Sequence, residues 1–562
     1  TPVQRAVSLP GFASMSFNSL GDIRLVPTSK NAPLYGSKTT TLATAGDVTF
    51  TGTEIYPVST GPINNGSSSV SSGQFVIQAT GPNSVVSFIG NGQTPYIPLS
   101  VGGSVQIVAP TINQGGVLLA PLGQITFGDP KNPSGTRAIN LLPGSITSVS
   151  AGGTLIPYGA PLGNTDWIYG YDNSGTANTM SAPPAKTISF YGRALTVAGA
   201  SGGVGSARID ESGGGDMYGA QFVSGAGGSV DTLDGTQTFA ILPSLGNRYA
   251  PRDPQMQLSD PTQSAAAPVA LQVGQQVYLS GAPGLPAGTY TLLPGHYALL
   301  PGAFKVTVAV NQTSATGLSN FAQRDGSYRI LGYGEVANTG FHDPLPSVYI
   351  VTPGSVVRQQ SQYAETTASQ FYASKAAASG IAAPYLPIDA GQLVISATNS
   401  LSLPATGGFG DFTAPAGGRG GQVDIVASNL EILAPGSTAA PGMTGLLANA
   451  LDSIGAQSIL IGGTRSLYGN VLTITPAAQQ LQIDSGAVLT APEIMLTAST
   501  AITVGAGALI DTTSFGAIST LFPNDPKTGK TLGSIALARV SGGGAGAFVL
   551  ASNAPVLPVT LP

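Results

Sequence analysis

Short segments in which apolar and polar residues alternate recur along the chain. In residues 421–433, Val423 and Ile425 point to one side of an extended strand and Asp424 points to the other. Related segments keep two large apolar residues two positions apart and then a small residue: 73–79 (GQFVIQA), 103–109 (GSVQIVA), 391–397 (GQLVISA) and 492–498 (PEIMLTA). Repeated strand-length units with short corners between them are typical of a β-solenoid, in which each unit stacks on the next.

The clearest repeat lies near the carboxy terminus. Residues 483–489 match residues 504–510 after a shift of 21 residues, which is enough for three short strands and three corners. A doubly wound sheet would require amphipathic helices between the strands, and the pattern predicts none of sufficient length. The one plausible helix is 366–378, because it is rich in alanine and has no Gly or Pro.

The repeats divide the chain into four parts. Residues 1–45 show no motif and are predicted to be irregular, and repeats fill 46–160 and resume over 391–562. Residues 161–390 differ in composition, because they contain the only tryptophan, both histidines and most of the tyrosines. The sequence therefore predicts two solenoid parts with a globular, β-rich insertion domain between them.

Composition supports stacked strands and excludes several classes of protein. Charged residues make up 8% of the chain, about a third of the usual 25%, as expected where side chains stack on their own equivalents and like charges would repel. The net charge is −5 with no cluster of Lys or Arg, which argues against a nucleic-acid partner. No apolar run reaches the ~18 residues of a membrane-spanning helix, and the first residues are not typical of a signal peptide. The absence of cysteine excludes disulfides and thiolate metal sites, and suits a large exported protein.

Several segments carry a resemblance to a known family: 103–127, 141–159, 212–219 (SGGGDMYG), 285–304 (LPAGTYTLLPGHYALLPGAF) and 348–357. They resemble the distal part of very large filamentous-haemagglutinin-like exoproteins. The resemblance covers about residues 46–540 and implies a right-handed parallel β-helix shaft. It also implies export by two-partner secretion through an outer-membrane transporter, display on or release from a Gram-negative cell, and adhesion. The sequence contains neither the secretion domain of that family nor a recognisable toxin domain, so export and effector function are inferred from the resemblance alone.

Carboxylates are the first candidates for chemistry, since parallel β-helices also include polysaccharide lyases and glycosidases. Asp210, Glu211 and Asp216 lie within seven residues and could bind calcium, but ordinary turn chemistry is the favoured interpretation. The carboxylates in the repeats are expected on solvated faces or corners: Asp424, Glu431, Asp484, Glu493 and Asp511. The two histidines, His296 and His342, lack the spacing of a metal site. We therefore expect no catalytic residue, metal or cofactor.

Trp167, Tyr169 and Tyr171 are the candidate ligand-binding residues. Alternate residues of an extended strand place the three rings on one face, where they could stack on sugar rings or anchor a protein partner. The alternative, which we favour, is that they pack the insertion against the shaft. Replacing Trp167 separates the two, since only a packing role predicts a loss of stability.

The expected function is therefore that of a segment of a secreted or cell-surface adhesin, without catalysis. A stiff shaft would present the insertion to a cell-surface receptor or glycan. The alternatives are a carbohydrate-active β-helix enzyme and a structural filament that self-associates through exposed terminal strands.

Overall fold

A computed structural model describes most of the chain. The described residues are 5–8, 11–27, 39–59, 63–64, 70–71, 73–163, 165–171, 177–225, 228–235, 237–252, 271–309, 320–405, 408–468, 471–512, 534–537 and 547–552. They form an all-β structure with large parallel sheets and few helices. This confirms the predicted β character of the chain. None of their helices is both long enough and apolar enough to cross a membrane.

Contacts divide the chain into two compact units. The first unit comprises Thr1–Ile156, Tyr171–Met217 and Thr367–Pro562, and the second comprises Pro157–Gly170 and Tyr218–Thr366. The second unit is smaller than the insertion expected over 161–390, because residues 171–217 and 367–390 belong to the first unit.

The amino-terminal part of the first unit consists of short strands and one 3-10 helix, η1. Its elements are β1 (Arg5–Ser8), β2 (Ser14–Asn18), β3 (Ile23–Leu25), β4 (Thr39–Thr44), β5 (Asp47–Gly52), β6 (Ile55–Pro57), β7 (Ile63–Asn64), β8 (Val70–Ser71), β9 (Gln74–Ala79), β10 (Val85–Gly90), β11 (Ser104–Val108), β12 (Thr111–Gly115), β13 (Val117–Leu119), β14 (Gln124–Phe127), η1 (Pro133–Gly135), β15 (Ala138–Leu141) and β16 (Ile146–Ser148).

Most of these strands pair in parallel, in three ladders. The first ladder has the order β1-β4-β9-β11-β14, the second β2-β5-β10-β12-β15 and the third β3-β6-β13-β16. The chain visits the ladders in turn, as in β11, β12 and β13 followed by β14, β15 and β16. Each return to a ladder adds a parallel neighbour in register, so that Ser104 pairs with Gln124.

The prediction that residues 1–45 are irregular is wrong. β2 pairs in parallel with β5, so that Met15 lies beside Val48 and Phe17 beside Phe50, and β4 pairs with β9 in the same way. These strands were missed because their polar residues, mainly Ser and Thr, hide the alternation. The segment continues the ladders and is part of the first unit.

Side chains that point inward stack on their equivalents in the neighbouring strands. The rings of Phe17 and Phe50 lie 5.0 Å apart and those of Phe50 and Phe88 lie 5.5 Å apart, nearly parallel. Phe127 stacks on Phe190 at 4.9 Å in the same manner. Burial of a ring such as Phe50 or Phe88, which are 2% and 1% exposed, stabilises the fold by about 1.5–3 kcal/mol.

Glycines occupy one corner of successive turns because the backbones approach closely there. Gly103 and Gly123 begin equivalent turns, and a Cβ atom on Gly123 would collide with the carbonyl oxygen of Gly103. The preceding Leu122 has a positive φ of 48°, a conformation that few non-glycine residues adopt. This corner requires a residue without a side chain.

The middle of the chain contributes to both units. Its elements are β17 (Leu155–Pro157), β18 (Ala160–Leu162), β19 (Asp166–Tyr171), β20 (Ala177–Met180), β21 (Thr187–Val197), β22 (Arg208–Asp210), β23 (Asp216–Phe222), β24 (Thr238–Ile241), β25 (Gln276–Leu279), β26 (Gly288–Thr291), β27 (Leu293–Pro294), η2 (Gly295–Leu299), β28 (Phe304–Val308), β29 (Phe321–Ala322), β30 (Tyr328–Glu335), β31 (Ser347–Pro353), α1 (Gly354–Gln360) and β32 (Tyr363–Thr367).

The long strand β21 explains why the second unit is smaller than the insertion that the sequence predicted. Its first half pairs with β14 and its second half with β15, so one strand continues two ladders. β22 continues the third ladder by pairing with β16. Residues 187–210 are therefore another turn of the repeat, although their sequence lacks the repeated signature.

The second unit is built on an antiparallel sheet. Its strand order is β26-β25-β30-β31-β28-β24-β27, with β29 paired to β30. One face of this sheet buries Val277, Val306, Ile330 and Val351 in a core separate from that of the first unit. The second unit thus has its own hydrophobic core.

The carboxy-terminal part returns to parallel ladders. Its elements are α2 (Ala368–Ser379), β33 (Gln392–Ser402), β34 (Gly410–Asp411), β35 (Gln422–Val426), β36 (Asn429–Leu433), β37 (Thr444–Leu447), α3 (Ala448–Asp452), β38 (Ser458–Ile461), β39 (Gly463–Tyr468), β40 (Val471–Pro476), β41 (Gln480–Ile483), β42 (Val488–Thr490), β43 (Glu493–Ala498), β44 (Ala501–Val504), β45 (Leu509–Asp511), β46 (Ser534–Leu537) and β47 (Ala547–Ser552).

The predicted repeat and the predicted helix are both confirmed here. Ile483 pairs with Val504 and Leu489 pairs with Ile510, which is the shift of 21 residues found in the sequence. Helix α2 coincides with the alanine-rich run and ends at Gly380, which has a φ of 67°. The first ladder continues through β21, β33, β35, β38 and β43, all in parallel.

Candidate functional site

The rings of Trp167 and Tyr169 are buried within the second unit. The Trp167 side chain is 0% exposed, and its Nε1 donates a hydrogen bond to the carbonyl oxygen of Tyr158 at 3.0 Å. The Tyr169 ring stacks on the Tyr158 ring at 4.3 Å. The side chain of Tyr171 lies outside the described residues. Neither Trp167 nor Tyr169 therefore offers an open ring face to a ligand.

Asp210 and Glu211, two of the three candidate acidic residues, have different hydrogen-bond partners. The Asp210 carboxylate accepts hydrogen bonds from the hydroxyl of Ser212 at 2.7 Å and from its backbone N–H at 3.1 Å, which is ordinary turn chemistry. Glu211 is 0% exposed, and its Oε1 accepts a hydrogen bond from the N–H of Ile188 at 2.8 Å. In the described part of the chain, no three His, Asp or Glu side chains are close enough together to hold a metal ion.

Glu211 faces the buried Lys186, which precedes β21 and contacts the loop before β33. The ammonium of Lys186 donates hydrogen bonds to the carbonyl oxygens of Pro387, at 2.9 Å, and Asp389. Burial lowers the pKa of Lys186 to about 8 and raises the pKa of Glu211 well above its ordinary value. A Cβ atom on Gly391 would collide with Oε2 of Glu211, so the carboxyl group fills the space above a glycine.

A buried ion pair lies next to this lysine. The guanidinium of Arg419 is 2.6 Å from Oδ2 of Asp389, with side-chain exposures of 9% and 1%. The Tyr385 ring packs against this guanidinium, 4.4 Å from its Cζ. Asp389 also accepts a hydrogen bond from the backbone N–H of Arg419 at 2.8 Å, so the loop before β33 is fixed to the loop before β35.

A second buried ion pair joins Asp424 of β35 to Arg465 of β39. Arg465 Nε lies 2.6 Å from Asp424 Oδ1, and Gln392 Nε2 donates to Oδ2 of the same carboxylate at 2.9 Å. Arg465 also donates to the hydroxyl of Ser458 at 2.6 Å, and that hydroxyl donates to Glu493. Burial raises the pKa of Asp424 and of Glu493, and the positive charge of Arg465 opposes both increases.

These side chains form what we call the buried charged column: Lys186, Glu211, Asp389, Arg419, Asp424, Arg465 and Glu493. The expectation that Asp424, Glu431 and Glu493 lie on solvated faces is wrong, because all three are buried. For Asp424 the reason is the β39–β40 hairpin, which supplies Arg465 to the outer side of β35. Asp484 and Asp511 are half-buried. The side chains of this column are buried among the stacked strands.

Two cavities lie in the carboxy-terminal part of the first unit. One, of about 340 Å³, contains a single carboxylate, Asp452, which accepts a hydrogen bond from the N–H of Thr490 at 2.7 Å. Burial raises the pKa of Asp452. The other, of about 390 Å³, has no carboxylate among its lining residues. Glycoside hydrolysis generally requires a pair of carboxylates, and neither of these two cavities is lined by such a pair.

The two histidines occupy different places in the second unit. His296 lies in η2, where its ring is 4.8 Å from the Tyr297 ring. His342 lies in the exposed loop between β30 and β31, and its ring is 4.5 Å from the Tyr333 ring.

The side of the antiparallel sheet opposite its core carries a row of rings that the sequence patterns did not reveal, and its two tyrosines are half-buried. Tyr278 of β25 lies directly opposite Tyr333 of β30, and the two rings stack at 4.9 Å. His342 covers Tyr333 from the next position, and we call Tyr278, Tyr333 and His342 the aromatic row. Beside it, Phe341 is 73% exposed and Leu345 is 69% exposed. The signal in the sequence was the alternation of Tyr278 with buried Val277 and Leu279.

Comparison with known proteins finds no matching family model, no similar curated protein and no similar solved structure. The functional argument therefore rests on the residues themselves.

Proposed function

We propose that this chain is a segment of a secreted or cell-surface filamentous adhesin. In this proposal the first unit is a right-handed parallel β-helix that acts as a stiff shaft. The second unit is the part that the shaft presents for attachment to another cell.

The observation that carries the shaft proposal is the set of parallel ladders that advance together. Consecutive turns place Phe50 beside Phe88 and Ile483 beside Val504, each through a parallel pair in register. In a solenoid each turn contacts only its neighbours, and its backbone groups are satisfied by the strands above and below. The buried charged column adds an ion pair between β35 and β39 and hydrogen bonds that connect β38 and β43 to it. Such a structure requires no cofactor and resists bending.

The second unit supports the attachment role. It has its own core, and it exposes Phe341 and Leu345 on an ordered loop, whereas most large apolar side chains of the described chain are buried. Exposed apolar side chains grouped on one loop are common at interaction sites. The chain leaves the ladders after β16 and rejoins them at β21, and it leaves them again after β22 and rejoins them at β33, so this unit consists of two segments inserted in the repeat.

Export by two-partner secretion, through an outer-membrane transporter of a Gram-negative cell, is part of the same proposal. Its support is the resemblance of residues 103–127 and 285–304 to filamentous-haemagglutinin-like proteins. The absence of cysteine is consistent with this route, since a chain that crosses membranes unfolded cannot be trapped by disulfides.

The test is to locate the native protein and to measure attachment. Antibodies raised against the chain are applied to intact and to permeabilised cells of the source bacterium, and the labelled 562-residue chain is incubated with candidate host cells. We expect staining of intact cells, or protein in the medium, together with saturable binding to the host cells. Protein confined to the cytoplasm, or no attachment to any cell type, would contradict the proposal.

A further inference from the structure

We propose that the chain hydrolyses its own backbone at the Asp343–Pro344 bond, in the loop between β30 and β31 of the second unit. The Asp343 carboxylate is the nucleophile, and the imidazole of His342 polarises the carbonyl group that is attacked. This activity is independent of the attachment function proposed above.

The His342 side chain is hydrogen-bonded to the oxygen of the peptide group that is hydrolysed. Its Nδ1 lies 2.8 Å from the carbonyl oxygen of Asp343, which is the carbonyl group of the bond to Pro344. A carbonyl oxygen can only accept, so Nδ1 carries the hydrogen. The imidazole lies against the Tyr333 ring, 4.5 Å away, and its backbone is fixed by an isolated bridge to Glu335. A donor fixed on this oxygen stabilises the negative charge that develops there when the carbonyl carbon is attacked.

The Asp343 side chain is anchored through one of its two oxygens. Oδ2 accepts a hydrogen bond from the N–H of Gly334 at 2.9 Å, and the N–H of Asp343 donates to the carbonyl oxygen of Gly334 at the same distance. The carboxylate fits there because residue 334 is glycine, since an added Cβ atom would lie 2.8 Å from Oδ2. No described residue donates a hydrogen bond to Oδ1, so this oxygen is available as the nucleophile.

The reaction is a hydrolysis in two steps. Oδ1 attacks the main-chain carbonyl carbon of Asp343 and closes a five-membered ring, with the advantage of an intramolecular reaction. The bond from that carbon to the Pro344 nitrogen then breaks, and the nitrogen keeps the electron pair and takes up a proton, which the imidazole of His342 can supply. Water opens the remaining cyclic anhydride, which leaves Asp343 with a terminal carboxyl group. One water molecule is consumed overall, and it is the only co-reactant.

The loop is open to water, and the strands on either side of it are paired. Residues 341–346 are all exposed, so water reaches the anhydride. β30 pairs with β31, and β31 also pairs with β28. The fragments 1–343 and 344–562 therefore stay together after hydrolysis and separate only when the sheet unfolds.

The Asp129–Pro130 bond provides an internal comparison. Asp129 is half-buried, and its Oδ1 accepts a hydrogen bond from the N–H of Lys131 at 2.9 Å. Its carbonyl oxygen accepts from the backbone N–H of Asn132 at 3.0 Å. A backbone N–H can stabilise charge on that oxygen, but it cannot pass a proton to the departing nitrogen as an imidazole can. We therefore expect the bond after Asp343 to break faster than the bond after Asp129.

The test is to incubate the purified full chain in mildly acidic buffer with protease inhibitors and to measure the masses of the denatured products. We expect fragments 1–343 and 344–562, whose masses add up to that of the intact chain plus one water molecule. His342→Ala should slow hydrolysis about ten-fold or more, because the donor to the developing oxyanion is lost. His342→Gln keeps a side-chain N–H donor and should be slowed less. Asp343→Asn lacks the carboxylate nucleophile and should remain intact.

Three results would overturn the inference: a wild-type chain that stays intact, an Asp343→Asn chain hydrolysed as fast as the wild type, or equal rates after Asp129 and Asp343. Equal rates would indicate only the ordinary acid lability of Asp–Pro bonds. Unfolding in urea is the last control, since it removes the contacts that position His342 and should bring the two bonds to similar rates. A preference for the bond after Asp343 that survives unfolding would show that the folded loop has no part in it.

Discussion

Arg465 Nε lies 2.6 Å from Oδ1 of Asp424, in an ion pair whose side chains are only 1% and 0% exposed. The two residues come from strands that are separated by more than 30 positions, and the pair closes the outer side of β35. Removing one partner leaves the other as a buried charge without compensation, which typically costs about 3–5 kcal/mol.

We therefore expect Arg465→Met to lower the melting temperature of the first unit by several degrees in scanning calorimetry. The double variant Asp424→Leu with Arg465→Met should recover much of the loss, because no unpaired charge remains. Arg208→Met is the matched control, since the Arg208–Asp411 pair is 51% and 31% exposed and should contribute less than about 1 kcal/mol. Similar losses in the two single variants would show that burial does not determine the effect.

The Glu211 carboxyl should make stability fall as the pH rises. Burial raises its pKa in the folded state, so its contribution is fully present below the ordinary value of 4.5 and is lost as the pH rises towards the folded value. The glutamine of Glu211→Gln stays neutral at every pH. We therefore expect the melting temperature of this variant to increase relative to that of the wild type from about pH 4.5 upward. Melting curves from pH 4 to 8 would measure this, and parallel profiles for the two proteins would refute it.

The Asp411 carboxylate should have the opposite effect, so that stability falls as the pH falls. Hydrogen bonds from Thr413 and the charge of Arg208 outweigh its partial burial and lower the pKa of Asp411, so its contribution is present above the ordinary value of 3.8 and is lost as the pH falls. Asp411→Asn should thus be less stable than the wild type near neutral pH and should approach it in acid. Melting curves that extend down to about pH 2 would measure this, and a constant difference between the variant and the wild type down to that pH would refute it.

Phe50 lies between two other rings in an inward column. Phe50→Ala would remove the stack with Phe17 and Phe88 and leave a cavity, at a cost of about 3–5 kcal/mol. Phe12→Ala is the comparison, because Phe12 is 58% exposed and its loss should change stability by no more than about 0.5 kcal/mol. Thermal unfolding followed by far-ultraviolet circular dichroism would distinguish them, and an unchanged Phe50 variant would exclude the column as a source of stability.

Trp167 is the only tryptophan in the chain and is buried in the second unit. Its fluorescence should therefore be blue-shifted in the native protein and should report the unfolding of that unit alone. Trp167→Phe removes the Nε1 hydrogen bond to Tyr158 and should cost about 1 kcal/mol, whereas Trp167→Ala should cost about 3–5 kcal/mol. A red-shifted native emission spectrum would show that the ring is open to solvent.

The inward positions of the repeat could be predicted because strand alternation and parallel register repeat the same constraint in every turn. Ile483 and Val504 occupy equivalent places in the sequence and in the ladder for that reason. The amino-terminal strands could not be predicted, since Ser and Thr at outward and inward positions weaken the period of two. Strand β21 was also missed. Its ladder partners β14, β15 and β33 are distant in the sequence, so no local pattern indicates the pairing.

The burial of Asp424 illustrates a different limit. Alternation correctly placed its side chain on the outer face of β35, but nothing local indicates that a hairpin beginning at Gly463 covers that face. Trp167 and Tyr169 show the same limit, because alternation places their rings on one face without revealing what packs against it. The aromatic row was missed for a related reason: Tyr278 and Tyr333 become neighbours only through antiparallel pairing across 55 positions.

The pairing of Ile483 with Val504 and of Leu489 with Ile510 makes residues 484–504 one complete step of the ladder. Deleting that block would join Ile483 to Gly505, which begins the equivalent corner one step later, and duplicating it would insert a step of the same kind. Recombination within a gene can therefore lengthen or shorten such a protein by whole steps without a new core. The number of steps can evolve through copy number while the second unit evolves separately.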